Sequence, residues 1–186
     1  MTEPVFTTLK RQQFRAYFQP SRVLLGVVPA SCESGVNIIT LCFNMYCSYK
    51  PPMMAVSIHN RSATYGLIQQ CDHYVLSVPG PDLVDASMFC GVESMKRVDK
   101  VKELALELVK SETIDVPGIK KAIANVEMTK VSAQVTGDHI LLVGRVNRFG
   151  VNLERYEAPL LSIGPKTTGY RLLKRKGIHR LGVIDA

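Results

Sequence analysis

No stretch of the 186-residue sequence approaches the roughly eighteen uninterrupted apolar residues of a membrane helix, although hydrophobic residues make up 46% of it. A membrane-spanning role is therefore not expected. The first twenty residues carry Lys10, Arg11 and Arg15 but no apolar core of the kind a secretory signal needs. The cysteines, at 32, 42, 47, 71 and 90, are odd in number and share no framework spacing. They read as reduced thiols in a cytoplasmic protein, not as a disulfide scaffold. Neither Cys42 with Cys47 nor Cys71 with His73 repeats the two-residue cysteine spacing of a zinc half-site, and no second half-site follows. No G-x-G-x-x-G segment is present, so the fingerprint of a Rossmann dinucleotide domain is missing. Tryptophan is absent altogether.

Acidic residues are outnumbered, 16 against 23 Lys and Arg, which gives a net charge of +7. Six of the cations (Lys166, Arg171, Lys174, Arg175, Lys176 and Arg180) lie near the C-terminus. That cluster lacks a recognition motif, a repeated basic helix face and any aromatic besides Tyr170, so nucleic acid is not the expected partner. A modest positive field suits small anions equally well.

What is present is a series of strands and turns. The length fits one domain, long enough to bury a core without metal or disulfide help. RVLLGVVP (22–29) is a continuous apolar strand stopped by proline, and SCESG (31–35) is a turn whose Gly35 accepts positive φ. Residues 36–41 and 54–58 read as strands, with FNMYCSY (43–49) as a polar-aromatic loop and Lys50-Pro51-Pro52 as an extended connection. A short helix is expected over 64–71, a strand over 74–78, and a helix capped by Asp82 over 82–89. Lys100 is expected at the start of a helix over 101–109, followed by a connection to residue 120. Residues 124–135 and 139–146 form a hairpin about Thr136-Gly137-Asp138, and residues 159–163 are expected as the last strand. A short helix or irregular arm over 6–18 leads into all of this.

The stretch VNIITLCFNMYCSYKPPMMAVSIHNRSATYGL (36–67) concentrates the chemistry. A strand ends in Arg61-Ser62-Ala63-Thr64 where a helix begins, offering backbone N–H groups, two hydroxyls and a cation together. That is a donor set for phosphate or a similar anion; an ordinary capped helix with a surface arginine is the other reading of the same residues.

The order Asn37, Phe43, Pro51-Pro52, Ser57-Ile58, Arg61, Thr64, Leu67-Ile68 resembles the flavoredoxin and flavin reductase-like group of FMN-binding split barrels. The segment GVESMKRVDK (91–100) is similar to that family's second cofactor segment, with Met95 where the family has Gly. Gly137-Asp138-His139 followed by an apolar run and Gly144-x-Val146 is similar to its final hairpin. The resemblance implies cofactor contacts from Asn37, Ile39, Thr40, Phe43, Arg61, Ser62, Thr64, Ser94, Lys100, His139 and Tyr170. His139 is also the possible catalytic residue, as a proton relay or hydrogen-bonding group. Phe43 stands where the family often has tryptophan, which keeps an apolar wall but loses an indole N–H. Local sequence leaves other readings open: Asn37 and His139 as turn-closing residues, Lys100 as a solvated helix-end charge.

The resemblance implies a mainly antiparallel split β-barrel with a few helices, a single domain over 1–186 with an N-terminal arm (1–20) and a C-terminal extension (153–186). It further implies FMN as cofactor, NADH or NADPH as electron donor, and a homodimer. The function implied is FMN-dependent oxidoreduction of the flavin reductase type; the alternative is a non-catalytic flavin-binding module or electron carrier serving a protein partner.

Overall fold

The computed structural model describes residues 18–155 and 157–163, together with the strand backbones of 173–176 and 181–184. The expected N-terminal helix lies outside the described residues, as does Tyr170. The chain begins with β1 (Ser21–Arg22), β2 (Leu24–Pro29), β3 (Val36–Leu41), β4 (Asn44–Tyr49) and β5 (Pro52–His59). Helix α1 (Ala63–Gln70) leads to β6 (His73–Val78), and a 3₁₀ turn at Pro81–Leu83 runs into α2 (Val84–Val92). After the one-turn helix α3 (Lys100–Glu103) come β7 (Leu108–Val109), β8 (Gly118–Ile119) and the long pair β9 (Ala124–Thr136) and β10 (His139–Val151). The chain closes with β11 (Leu161–Ser162), β12 (Leu173–Lys176) and β13 (Leu181–Ile184).

Seven strands form one antiparallel sheet in the order β3-β2-β6-β9-β10-β5-β4. A four-stranded sheet, β1-β11-β13-β12, and the β7-β8 pair complete the described strands. One apolar core draws Leu24, Leu41, Val56, Tyr74, Met128 and Leu142 from six strands of the large sheet, which therefore curls around it. Each such fully buried aliphatic side chain contributes about 1.5–3 kcal/mol. A second core lies on the outer face, where Leu25, Val27, Ile38 and Val75 pack under Ala86, Cys90 and Val101 of α2 and α3. Strand β2 is buried on both faces, and this is why its sequence is continuously apolar where a half-exposed strand would alternate.

Several elements differ from expectation for identifiable reasons. Residues 44–49 are not a loop but an edge strand paired only with β5. Met45, Tyr46 and Tyr49 are all exposed there, so the sequence carries no alternation of apolar and polar residues to mark a strand. The helix expected over 101–109 stops at Glu103. Ala105 takes a positive φ of 47°, and the N–H groups of Ala105 and Leu106 close back on the carbonyls of Lys102 and Val101. This is a Schellman ending with alanine where glycine usually stands, which removed the glycine that would have marked the stop. Asp82 does not cap a helix; its carboxylate accepts a hydrogen bond from Arg155 at 2.8 Å, and α2 starts without a side-chain cap. The strand at 161–162 is not the last, since β12 and β13 follow it.

Gly144 has a packing reason. It sits at a register shift between β9 and β10, and a Cβ there would overlap the buried Tyr74 Oη. That hydroxyl has no hydrogen-bond partner among the described residues, and burial pushes its pKa upward. Gly144→Ala should therefore destabilise by about 1–3 kcal/mol through overpacking. Tyr74→Phe, which removes an orphaned hydroxyl, should be neutral or stabilising and should partly rescue Gly144→Ala. Urea unfolding of the two single variants and the double variant checks this, and equal stability of Gly144→Ala and wild type would refute it.

Glu127 on β9 pins the segment between β7 and β8. Its carboxylate accepts from the N–H of Glu112 at 3.0 Å, the N–H of Thr113 at 2.7 Å and the Thr113 hydroxyl at 2.5 Å. Burial works against the charged form, but these donors and Arg148 together hold the pKa below the ordinary glutamate value. A lowered folded pKa means stabilisation that is complete above the unfolded value of about 4.3 and is lost as pH falls through the folded one. Glu127→Gln should lower stability at neutral pH and flatten its decline under acid. Unfolding midpoints measured from pH 7 down to 3 test this, and parallel curves for the two proteins would contradict it.

Candidate functional site

Strand parity decides which β3 side chains reach the site. Val36, Ile38 and Thr40 face α2, while Asn37, Ile39 and Leu41 face the other way. Asn37 is 2% exposed; its Nδ2 donates to the Thr64 hydroxyl at 2.9 Å, and its Oδ1 is buried with no partner among the described residues. An unpaired buried acceptor costs about 1–3 kcal/mol, so it marks a place where a donor belongs.

Beside it, β5 ends at His59 and the chain turns into α1. Ser62 is the N-cap, its hydroxyl accepting from the Thr64 N–H at 3.2 Å. The His59 carbonyl accepts from the Ser62 N–H, and His59 Nδ1 accepts from the Arg61 N–H at 3.0 Å. Arg61 is exposed, and its guanidinium makes no ion pair among the described residues. The N–H groups of Thr64 and Tyr65 are taken up by the Ser62 hydroxyl and carbonyl, so among the described residues it is the Ala63 N–H of the first turn that stands open beside the Arg61 cation.

The opposite wall is the end of α2 and the following turn, Cys90 to Met95. Beneath it lies Lys100, 5% exposed, whose Nζ donates to the carbonyls of Ile38 at 2.7 Å and Cys90 at 2.9 Å. Burial pulls its pKa below the ordinary lysine value. Burial also pushes the Cys90 thiol up to about 11, so it is a protonated wall residue and not a thiolate nucleophile.

These elements enclose a groove of about 300 Å³ that Asn37, Ile39, Arg61, Ser62, Thr64, Ser94 and Lys100 all line. His59, Ala63, Gly91, Glu93 and Met95 line it too; none was named as a contact from the sequence, although Ala63 lies in the Arg61–Thr64 donor set and Gly91, Glu93 and Met95 in the segment similar to the family's second cofactor segment. Thr40 is not among the lining residues: its hydroxyl donates to the Ser87 carbonyl at 2.5 Å on the α2 side. Phe43 and His139 are not among the lining residues either and reach the groove only through the ring contact of His139 with its lining residue His59, and Tyr170 lies outside the described residues. The His139 ring lies 5.0 Å from that of His59 and 5.5 Å from that of Phe43. His139 Nδ1 is 2.6 Å from Asp138 Oδ1, a hydrogen bond that holds the Asp138 pKa below the ordinary aspartate value. His59 and His139 are directly opposed in the β5–β10 register, which became visible only once the strands were paired.

A larger cavity, about 570 Å³, lies between the β7–β8 pair and the far ends of β9 and β10. Much of its charge is already internally paired, Lys120 with Glu107 and Arg148 with Glu112, each at 2.6 Å. The smaller groove brings together the unpaired buried Asn37 Oδ1 and the Arg61 guanidinium, which has no ion pair among the described residues, and a ligand would satisfy both.

A family model described as "Flavin reductase like domain" matches residues 20–169. The chain belongs to the flavin reductase-like family. An uncharacterized protein of Archaeoglobus fulgidus is 34% identical over 133 residues, covering 70% of this chain and 72% of the relative. Among solved structures, an FMN-binding protein from Thermus thermophilus with bound p-hydroxybenzaldehyde superposes with a TM-score of 0.77 at 22% identity, covering 98% of this chain and 96% of that one. The NADH:FAD oxidoreductase SgcE6 of Streptomyces globisporus C-1027 gives 0.71 at 19% identity, over 87% and 93% of the two chains. The curled antiparallel sheet is thus the split barrel of flavin reductase-like proteins.

Proposed function

We propose that this flavin reductase-like chain binds FMN in the 300 Å³ groove and acts as an NAD(P)H-dependent flavin reductase-type oxidoreductase. The observation that carries the reading is the orphaned Asn37 Oδ1 buried beside the uncommitted Arg61 guanidinium and the α1 N-terminus. A flavin mononucleotide presents N–H and hydroxyl donors at one end and a phosphate at the other, so the residues fit the group. Asn37 would accept from the ring or ribityl chain. The Arg61 guanidinium, the Ser62 and Thr64 hydroxyls and the open Ala63 N–H at the start of α1 would hold the phosphate. Lys100 adds positive potential from beneath, and Ile39 supplies an apolar wall. The Phe43 and His139 rings, in contact beyond His59, would supply a surface for the nicotinamide ring in place of a separate dinucleotide domain. When bound, the flavin supplies the hydride and electron chemistry. The protein's work is to clamp, orient and shield it.

The NADH named for the Streptomyces neighbour supports a nicotinamide donor, while its FAD makes FMN the more specific part of this proposal. The exposed Phe43, just before β4, and Met45, Tyr46 and Tyr49 along it support assembly as a homodimer at this edge. The single-domain reading and a cytoplasmic setting, suited to its free thiols, belong to the same proposal. No helix among the described residues is long and apolar enough to cross a membrane.

Arg61→Ala should weaken FMN binding roughly ten- to a hundred-fold, the loss of a charge-assisted contact worth about 1.5–3 kcal/mol. Riboflavin binding should not change, nor should stability by more than about 0.5 kcal/mol. Fluorescence titration with both flavins decides the matter: equal losses for FMN and riboflavin would overturn the phosphate assignment. Anaerobic NADH or NADPH should bleach the flavin of the loaded protein. Bleaching by dithionite alone would favour an electron carrier instead.

A further inference from the structure

His59 lines the groove yet takes no part in the clamp described above. Its Nδ1 accepts the Arg61 N–H at 3.0 Å, so that nitrogen carries a lone pair and the ring proton of the neutral imidazole sits on Nε2. Nε2 has no partner among the described residues. The ring is fixed from a second side, lying 5.0 Å from His139 at an interplanar angle of 59°. His139 is held in turn by Asp138 at 2.6 Å and by the Phe43 ring at 5.5 Å. A ring with one nitrogen committed, its plane braced and its remaining N–H unspent is a donor prepared for something outside the protein.

We propose that His59 is a cofactor-positioning residue: it donates its Nε2–H to an acceptor atom of the bound flavin while its Nδ1 holds the Arg61 turn. The inference rests on the FMN reading above. It links the two ends of the site, because the residue that fixes the backbone of the phosphate-binding turn also touches the ligand. A purely structural His59 would need only the Nδ1 contact.

Two substitutions separate those roles. His59→Asn keeps an oxygen able to accept the N–H two residues on, as in an Asx turn, but has nothing where Nε2 stands. His59→Gln carries amide N–H groups at the greater reach and gives up the short acceptor. FMN fluorescence titrations of flavin-free wild type and both variants, each with a urea unfolding curve, form the test. The expected result is that His59→Asn unfolds like wild type but binds FMN about ten-fold more weakly, whereas His59→Gln stays within about three-fold of wild type. Wild-type affinity in His59→Asn would overturn the proposal, as would a loss in His59→Gln as large as that in His59→Asn. Absence of FMN binding by wild type would remove the functional reading itself and this inference with it. FMN binding by wild type with an unaffected His59→Asn would remove only the role of His59.

Discussion

The Lys100 ammonium, bonded to the carbonyls of Ile38 and Cys90, is the contact on which the site depends. Three elements meet at that one nitrogen: α3 carries the lysine, nearby α2 offers one acceptor and β3, 62 residues away in sequence, offers the other. Taking an ammonium out of water costs several kcal/mol. Two charge-assisted hydrogen bonds offset part of that cost, and no carboxylate forms an ion pair with Lys100 among the described residues. The result is a rigid joint with positive potential beneath a groove that already holds Arg61 and a helix N-terminus. Such a joint is stable enough to fold and unsatisfied enough to want an anion.

Around it the sheet does the positioning. Strand β2, buried on both faces, holds β3 so that its odd-numbered residues face the groove and its even-numbered ones face α2. Pairing of β5 with β10 sets His59 beside His139, and the hairpin carbonyl of Asp138 accepts from the N–H of Asn60 to tie the phosphate-side turn to the same end of the sheet. The larger cavity elsewhere shows why volume alone is a poor guide, since much of the charge there already has a partner.

Much of this was legible before any coordinates, because the signals were local. A Ser N-cap after a strand, flanked by Arg61 and Thr64, is a local signal for a capped helix start that could receive an anion, and the spaced motifs identified the family. Lys100 was legible as a site residue but not as a buried joint, since burial depends on α2 packing over β3. Thr40 was misplaced through strand parity: alternation from Asn37 sends it to the α2 side, where it meets Ser87. Strand β4 went unseen because both of its faces are largely wet, and the early end of α3 because alanine occupies the position glycine usually marks. His59 was overlooked because a polar run at a strand end looks like loop until its register with β10 is known.

The central claim is one of place, that a flavin phosphate and ring satisfy the groove joined by Lys100. Amide hydrogen exchange of the protein with and without saturating FMN tests this directly. The account predicts slowed exchange in three separated segments, residues 37–41, 60–66 and 90–100, with residues 107–121 and 148–155 around the larger cavity unchanged. Protection concentrated around that larger cavity, or none anywhere at saturating FMN, would contradict it.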